Sequence, residues 1–360
     1  MATVRSQALA TIRSQAMATV RHARRGLSSA AHRVRAQSES HVDIAEIDKG
    51  IYRGPSESLW VPPGGRGVFG GQVIGQALHS ATRTVEGAIG PHGVRTMAPH
   101  SLHAYFLQAG DPTHPITYRV RRTSDRRSYV SRSVDAVQRG EIIFKMQASF
   151  ARAGETGLEH YAPMPDVPPP DELPSVRELL EDVLPRLPDA AAAHLRKLLT
   201  VPIEMKFVGD YLSPLDPNPP KLPARQQIWI RAYEPIREAE RLDESAAAYF
   251  SDHNLLACAL RPHGIPFPSP KLGVFVSLDH SMWFHAPFRC DEWLLYDMDS
   301  PALRSGRGLS FGHLYRGDTR ELVMSCAQQG VVRQARPSPK RKAAQYWLHG
   351  RAFLEQLGIA

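Results

Sequence analysis

Cysteine is scarce in this chain of 360 residues: Cys258, Cys290 and Cys326 are the only three, and none lies in a C-x-x-C pair. That spacing excludes a disulfide framework and a paired-thiolate zinc site. Cys258 and Cys326 stand in apolar stretches and read as core thiols. Long apolar runs are also lacking. None approaches the roughly 18 residues of a membrane-spanning helix, so stable membrane insertion is not expected. Acidic residues and lysine are absent from the first 38 positions, which hold seven arginines, and the first acid is Glu39. The formal net charge of +8 is therefore concentrated at one end, and the rest of the chain carries 37 basic against 36 acidic residues. A body so near neutrality has no compositional support for a nucleic-acid-binding surface.

The basic end has a pattern. ATVRSQAL, ATIRSQAM and ATVRHARR follow one another within the first 25 residues, with arginine every eight positions. Eight residues slightly exceed two helical turns, so Arg5, Arg13 and Arg21 would share a similar helical face. Arginine-rich, serine-containing and acid-free is the composition of an organellar transit peptide. Arg25-Gly26-Leu27-Ser28-Ser29 resembles a matrix-peptidase context. Mitochondrial targeting is expected from it, and a disordered basic tail is the alternative. The last residues, Gly358-Ile359-Ala360, are not a peroxisomal Ser-Lys-Leu address.

The body contains two stretches of similar order. In the first, residues 70–85 (GGQVIGQALHSATRTV) read as a helix. Strands are expected over 100–108, 116–123, 128–138 and 141–151, separated by turn residues. In the second, a strand is expected over 227–233 and a helix over 244–260. Further strands are expected over 274–284, 292–298, 308–315 and 321–332. Between the two lies a proline-rich span around one helical stretch near 176–199. Residues also recur at a fixed offset. Ser101-Leu102 falls on Ser277-Leu278 at 176, Arg139-Gly140-Glu141 on Arg316-Gly317-Asp318 at 177, and Gln76 on Asp252 at 176. So long a period implies a duplicated domain rather than a solenoid. The expected boundaries are a basic segment 1–45, a first domain 46–151, a connection 152–225, a second domain 226–334 and a basic tail 335–360. A helix followed by antiparallel strands suggests a sheet wrapped around that helix.

Three residues draw attention. On the expected helix Asp252 has Ala248, Tyr249, Leu255 and Leu256 at three and four positions, so its carboxylate would face apolar surroundings. Burial of an unpaired carboxylate is costly or raises its pKa, so it is either paired structurally or used as a base. Ser277 shares a strand face with Phe275 and Asp279, and Gln328 shares one with Leu322, Met324 and Cys326. Each alone reads more simply as a satisfied core residue. Together with Asp252 they could hold a water. Two motif matches point elsewhere. Gly308-Leu309-Ser310-Phe311-Gly312 fits G-x-S-x-G, but a nucleophile elbow needs strand–turn–helix context, and strands are expected on both sides of Ser310. Gly65-Arg66-Gly67-Val68-Phe69-Gly70 fits G-x-G-x-x-G, but Pro62-Pro63 spoils the strand that should precede it. Gly70-Gly71 still open a helix whose free N–H groups could face an anion or a polarised carbonyl. The histidines, including His100, His103, His280 and His285, have no metal-ligand spacing and read as structural or substrate-lining.

Ser277-Leu278-Asp279-His280-Ser281-Met282-Trp283-Phe284-His285 resembles the type II acyl-CoA thioesterase family. Further similar blocks are Tyr52-Arg53-Gly54, Phe69-Gly70-Gly71-Gln72-Val73, Tyr105-Phe106-Leu107, Gln147-Ala148-Ser149-Phe150 and Ala327-Gln328-Gln329-Gly330-Val331. Met164-Pro165 with the prolines that follow is another, and the likeness runs in order over roughly 47–334. The resemblance implies an α+β double hotdog: two tandem hotdog domains, each an antiparallel sheet around a long helix. It implies hydrolysis of fatty acyl-CoA to free fatty acid and CoA, with Asp252, Ser277 and Gln328 as the catalytic group. No cofactor or metal is implied, acyl-CoA is the expected partner, and a homo-oligomer is possible. The family's peroxisomal members supply peroxisome as the alternative location.

Shifted by the repeat offset, the trio falls on Gln76, Ser101 and Ala151, so one active site per chain is expected. Two rival functions remain. A hotdog enoyl-CoA hydratase resembles D-x-N-P-x-H, which Asp252-His253-Asn254 begins, but Leu255 and Ala257 replace the proline and the histidine. The other is a non-catalytic acyl-CoA-binding protein.

Overall fold

A computed structural model describes residues 41–85, 96–154, 157–187, 189–211, 216, 219–234, 242–269 and 271–336. The targeting-like segment and most of the tail lie outside these residues.

The first half opens with two short strands, β1 (Ala45–Asp48) and β2 (Ile51–Gly54), followed by α1 (Gly70–Arg83). Four long strands then succeed one another: β3 (Met97–Phe106), β4 (Ile116–Asp125), β5 (Tyr129–Gln138) and β6 (Glu141–Arg152). Period-2 burial runs along them, with Val130, Val134 and Ala136 on β5 and Phe144, Met146, Ala148 and Phe150 on β6 facing inward. Every residue of α1 from Gly71 to Thr82 is buried, because the sheet covers one side of the helix and the helix of the second half covers the other. Its polar side chains are bonded locally. Gln72 Oε1 accepts from Trp60 N–H and its Nε2 donates to Ser58 O, while Ser80 and Thr82 donate to Ala77 O and Leu78 O.

The second half repeats this layout with β7 (Ile203–Val208), β8 (Arg225–Ala232), α4 (Asp243–Ser251), β9 (Leu272–Ser277), β10 (Asp279–Phe284), β11 (Leu294–Arg304), β12 (Arg307–Arg316) and β13 (Leu322–Gln334). The connecting region holds α2 (Val176–Val183) and α3 (Asp189–Arg196). Along the sheet the order is β1-β2-β4-β5-β6-β3-β10-β13-β12-β11-β8-β7, with β9 also pairing β13. Read from its centre outward, the order is the same in both directions, as a duplicated unit joined through β3 and β10 requires. Leu102 and Met282 pair across that seam and are both fully buried; burying side chains of this size stabilises by roughly 1.5–3 kcal/mol each. The architecture is the expected double hotdog.

Four local expectations differ from the structure. The helix expected over 244–260 ends at Ser251, and a 3-10 helix, Leu256–His263, follows. Between them Asn254 takes φ +64°, a left-handed value that asparagine tolerates. Asp252 is thus the C-terminal cap of α4, and Leu255 and Leu256 do not share a helical face with it. The strand expected over 274–284 breaks at Leu278 into β9 and β10. Phe275 packs inward before the break and His280 and Met282 after it, so Ser277 and Asp279 do not share a face. The helix expected over 176–199 is two short helices, because Pro185 lacks the N–H that would continue the first. Ser175 and Glu178 form a capping box at the start of the first. Finally, β7 falls inside the span read as connection and pairs with β8 at the sheet edge.

Candidate active site

The site forms where the two helices meet. Glycines at 71 and 75 allow the close approach. A Cβ on Gly71 would lie 2.5 Å from Tyr249 O, and one on Gly75 would lie 2.8 Å from Ser245 O. The helices therefore run antiparallel in near backbone contact, and the N-terminus of α1 reaches the C-terminus of α4. Asp252 stands at that junction. Its Oδ2 accepts from the Gly71 N–H at 2.8 Å. This is the anion-facing N–H that the paired glycines promised: a first-turn donor with no partner inside its own helix, at the positive end of the dipole.

The other carboxylate oxygen faces the sheet. Gln328 on β13 donates from Nε2 to Asp252 Oδ1 at 2.6 Å and to Ser277 Oγ at 3.0 Å. Ser277, the last residue of β9, donates to the same Oδ1 at 3.4 Å. The three residues marked in the sequence are thus one hydrogen-bonded cluster, drawn from a helix end, a strand end and a strand interior. Burial raises the Asp252 pKa above the ordinary 3.8, and the hydrogen bonds from Gln328, Gly71 and Ser277 oppose that rise. Tyr249 and Tyr296 are pushed up by burial and Cys326 up to about 12, while His253 and His280 are pushed down to about 3. These neighbours are neutral near pH 7.

Behind Asp252, a second set of bonds holds the last turn of α4. Tyr296 on β11 donates its hydroxyl to Ser251 O at 2.6 Å, the carbonyl of the peptide that enters Asp252. Ser251 Oγ donates to Ala248 O at 2.9 Å and so must accept from His280 Nε2, also at 2.9 Å. This assigns the His280 proton to Nε2. Nothing in the local spacing of Tyr296 announced this role. The glycines at 71 and 75 did leave a signal, because an i, i+4 pair of glycines marks a helix face able to touch another backbone.

The motif matches resolve differently. Ser310 is a fully buried strand residue whose partner across β12 and β13 is Gln328. There is no strand–turn–helix elbow, and Gly308, Ser310 and Gly312 are successive inward positions of one strand. Gly312 is glycine because a Cβ there would lie 2.5 Å from the Tyr296 ring. Residues 61–69 enter α1 as a loop, without the strand that a dinucleotide fold needs. In the first half, Gln76 accepts from Tyr118 Oη at 2.7 Å and donates to Asp43 O at 3.3 Å. Ala151 is out of phase with the buried Met146, Ala148 and Phe150, so the linear offset does not carry Gln328 onto an inward position. Differing bulges and turn lengths in the two copies shift the register.

The chain matches two family models: one described as "Acyl-CoA thioesterase N-terminal domain" over residues 57–151 and one as "Acyl-CoA thioesterase" over 205–331. It is 40% identical to acyl-coenzyme A thioesterase 8 of Rattus norvegicus over 303 residues, covering 82% of this chain and 88% of that protein. It is 32% identical to acyl-CoA thioesterase 2 of Haemophilus influenzae, covering 81% and 94%. Among solved structures, an acyl-CoA thioesterase II of Mycobacterium marinum matches at 36% identity and a TM-score of 0.63, covering 83% of this chain and 98% of that one.

Proposed function

We propose a mechanism from one premise: the chain belongs to the acyl-CoA thioesterase family and hydrolyses acyl-CoA to a free acid and CoA. Asp252 is the general base. It takes a proton from a water lying over the thioester carbonyl, and Ser277 and Gln328 orient the carboxylate. The observation that carries this assignment is the convergence of three donors, from Gly71, Ser277 and Gln328, on one carboxylate raised in pKa by burial. A raised pKa brings a carboxylate nearer the basicity that proton transfer at neutral pH needs. The start of α1 faces the same point, and its backbone N–H groups support stabilisation of the carbonyl oxygen as charge develops there. A Cβ on Gly70 would lie 2.9 Å from Asp252 Oδ2 and from the Phe106 ring, so glycine keeps the approach to the carboxylate open.

Water attack and attack by Ser277 are separated by mass spectrometry of the protein quenched during turnover with acyl-CoA. The unmodified mass is expected. An acyl group on Ser277 would replace the water mechanism with a covalent one. Thiol release from acyl-CoA by Ser277→Ala and Gln328→Ala variants should fall while both remain folded.

The chain is proposed to carry one such site, in its second half. Its acid- and lysine-free first 38 residues support mitochondrial import, and the likeness to peroxisomal family members supports the alternative; imaging a tagged protein separates the two. The resemblance also supports self-association, which sedimentation of the purified chain measures. Among the described residues no helix is long and apolar enough to cross a membrane.

A further inference from the structure

We propose that Ser310 is a positioning residue that sets the sense of the Gln328 amide, by donating its hydroxyl proton to Gln328 Oε1. The inference rests on the assignment of Gln328 to the site.

A glutamine amide can sit in two senses related by a half-turn, and only one serves here. Both protons of Gln328 Nε2 are spent, on Asp252 Oδ1 at 2.6 Å and on Ser277 Oγ at 3.0 Å. In the reversed sense an amide oxygen would face a carboxylate oxygen at that distance. Whatever donates to Oε1 on the far side of the amide therefore selects the working sense. Gln328 Oε1 is buried and bonded to no described residue. The same holds for Ser310 Oγ, on the residue directly opposite.

The two residues are direct partners across β12 and β13, both fully buried on the inner face. Side chains so opposed have Cβ atoms about 4.5–5.5 Å apart, within reach of a hydroxyl turning about χ1 toward a glutamine amide. The Tyr249 hydroxyl is also unpaired, but it stands on α4 rather than opposite Gln328. The inward positions on either side of Ser310 are Gly308 and Gly312, and the Tyr296 hydroxyl is committed to Ser251 O. The two atoms are not bonded to one another in this structure; a turn of Ser310 about χ1 would join a donor and an acceptor that are each unpaired in a closed interior, where either one left alone is costly. The G-x-S-x-G match thus acquires a use as strand rather than elbow: the glycines clear space, and the serine directs the amide.

Ser310→Ala removes one atom. It should lower kcat about tenfold, the worth of one hydrogen bond, and leave KM for acyl-CoA unchanged. It should also move the acidic limb of the kcat–pH profile to higher pH, because a wandering amide no longer helps to hold Asp252 ionised. That limb reports Asp252, since the buried groups facing it, Tyr249, Tyr296 and Cys326, titrate far higher, and His253 and His280, pushed down to about 3, titrate below it. In a Gln328→Ala background the Ser310→Ala change should have no further effect on either readout. Ser310→Thr, which keeps the hydroxyl, should exceed Ser310→Val, which has the same shape without it. A wild-type acidic limb in Ser310→Ala, an undiminished effect in the Gln328→Ala background, or an acyl adduct trapped on Ser310 would each overturn the proposal. Full activity in both Asp252→Asn and Gln328→Ala would instead overturn the site itself, so the two failures are distinct.

Discussion

Asp252→Asn separates catalysis from folding at the central residue. Asparagine keeps one oxygen to accept from Gln328 and Ser277, now at 2.6 and 3.4 Å. Its NH2 then confronts the Gly71 N–H across a contact of 2.8 Å, donor against donor. A buried donor left unpaired costs about 1–3 kcal/mol. Against that, the variant no longer keeps a charge where burial penalises it. The net change in stability should stay within about 2 kcal/mol. Its pH dependence has a definite sign. Because the folded pKa of Asp252 lies above 3.8, wild type loses stability as pH rises from 3.8 through the raised value, whereas the variant does not. Relative to wild type, the variant should therefore melt higher at pH 8 than it does at pH 4. Its turnover should fall about 10²–10⁴-fold, the usual worth of a general base, or roughly 2.7–5.4 kcal/mol in barrier. The assay is thiol release from acyl-CoA, run beside thermal melting at both pH values. A kcat within threefold of wild type would refute the base assignment. So would a loss of activity that merely follows a loss of fold.

Other perturbations test the surroundings. Wild-type kcat should fall on an acidic limb centred above 3.8, the direction that burial of Asp252 imposes; a limb at or below 3.8 would contradict it. Gly71→Ala would press a methyl to 2.5 Å from Tyr249 O and 2.6 Å from the Phe69 ring, costing about 1–3 kcal/mol by overpacking and parting the Gly71 N–H from Asp252, so both Tm and kcat should drop. Tyr296→Phe leaves Ser251 O without its donor and should cost about 1–3 kcal/mol in denaturant unfolding, with a smaller fall in kcat than Asp252→Asn gives. Asp243, pushed up to about 6 by burial, accepts from the Cys290 N–H at 2.8 Å. Wild type should lose stability as pH rises from 3.8 through about 6, and Asp243→Asn, which keeps the acceptor, should remove that loss and gain at most about 3 kcal/mol above pH 6.

The chain's own pattern carries a good deal of this molecule. Alternating burial on β5, β6, β12 and β13 follows the alternation of residue types, since a strand has only two faces. Glycine, proline and charged turn residues separate these strands much where they were expected. The nine-residue block around Asp279 and the order of the similar blocks pointed to a double hotdog and to thioester hydrolysis. Asp252, Ser277 and Gln328 were each legible as polar residues in apolar settings. The misplaced end of α4 has a local cause: Ser251-Asp252-His253-Asn254 is a run of weak helix formers whose side chains compete for backbone bonds. The repeat offset failed at Ala151 because bulges and turn lengths differ between the two copies, and an odd difference turns a side chain to the other face.

What tertiary structure alone decided is the meeting of distant groups. Gly71 lies 181 positions from the carboxylate its N–H holds, and Ser277 and Gln328 lie 25 and 76 positions from it. No local period encodes such distances. They arise because two helices pack through glycine and two sheets join at one seam. Composition and periodicity determined which residues turn inward, and hence the fold. Packing determined which of those residues touch, and so that a carboxylate at a helix end is held by three donors.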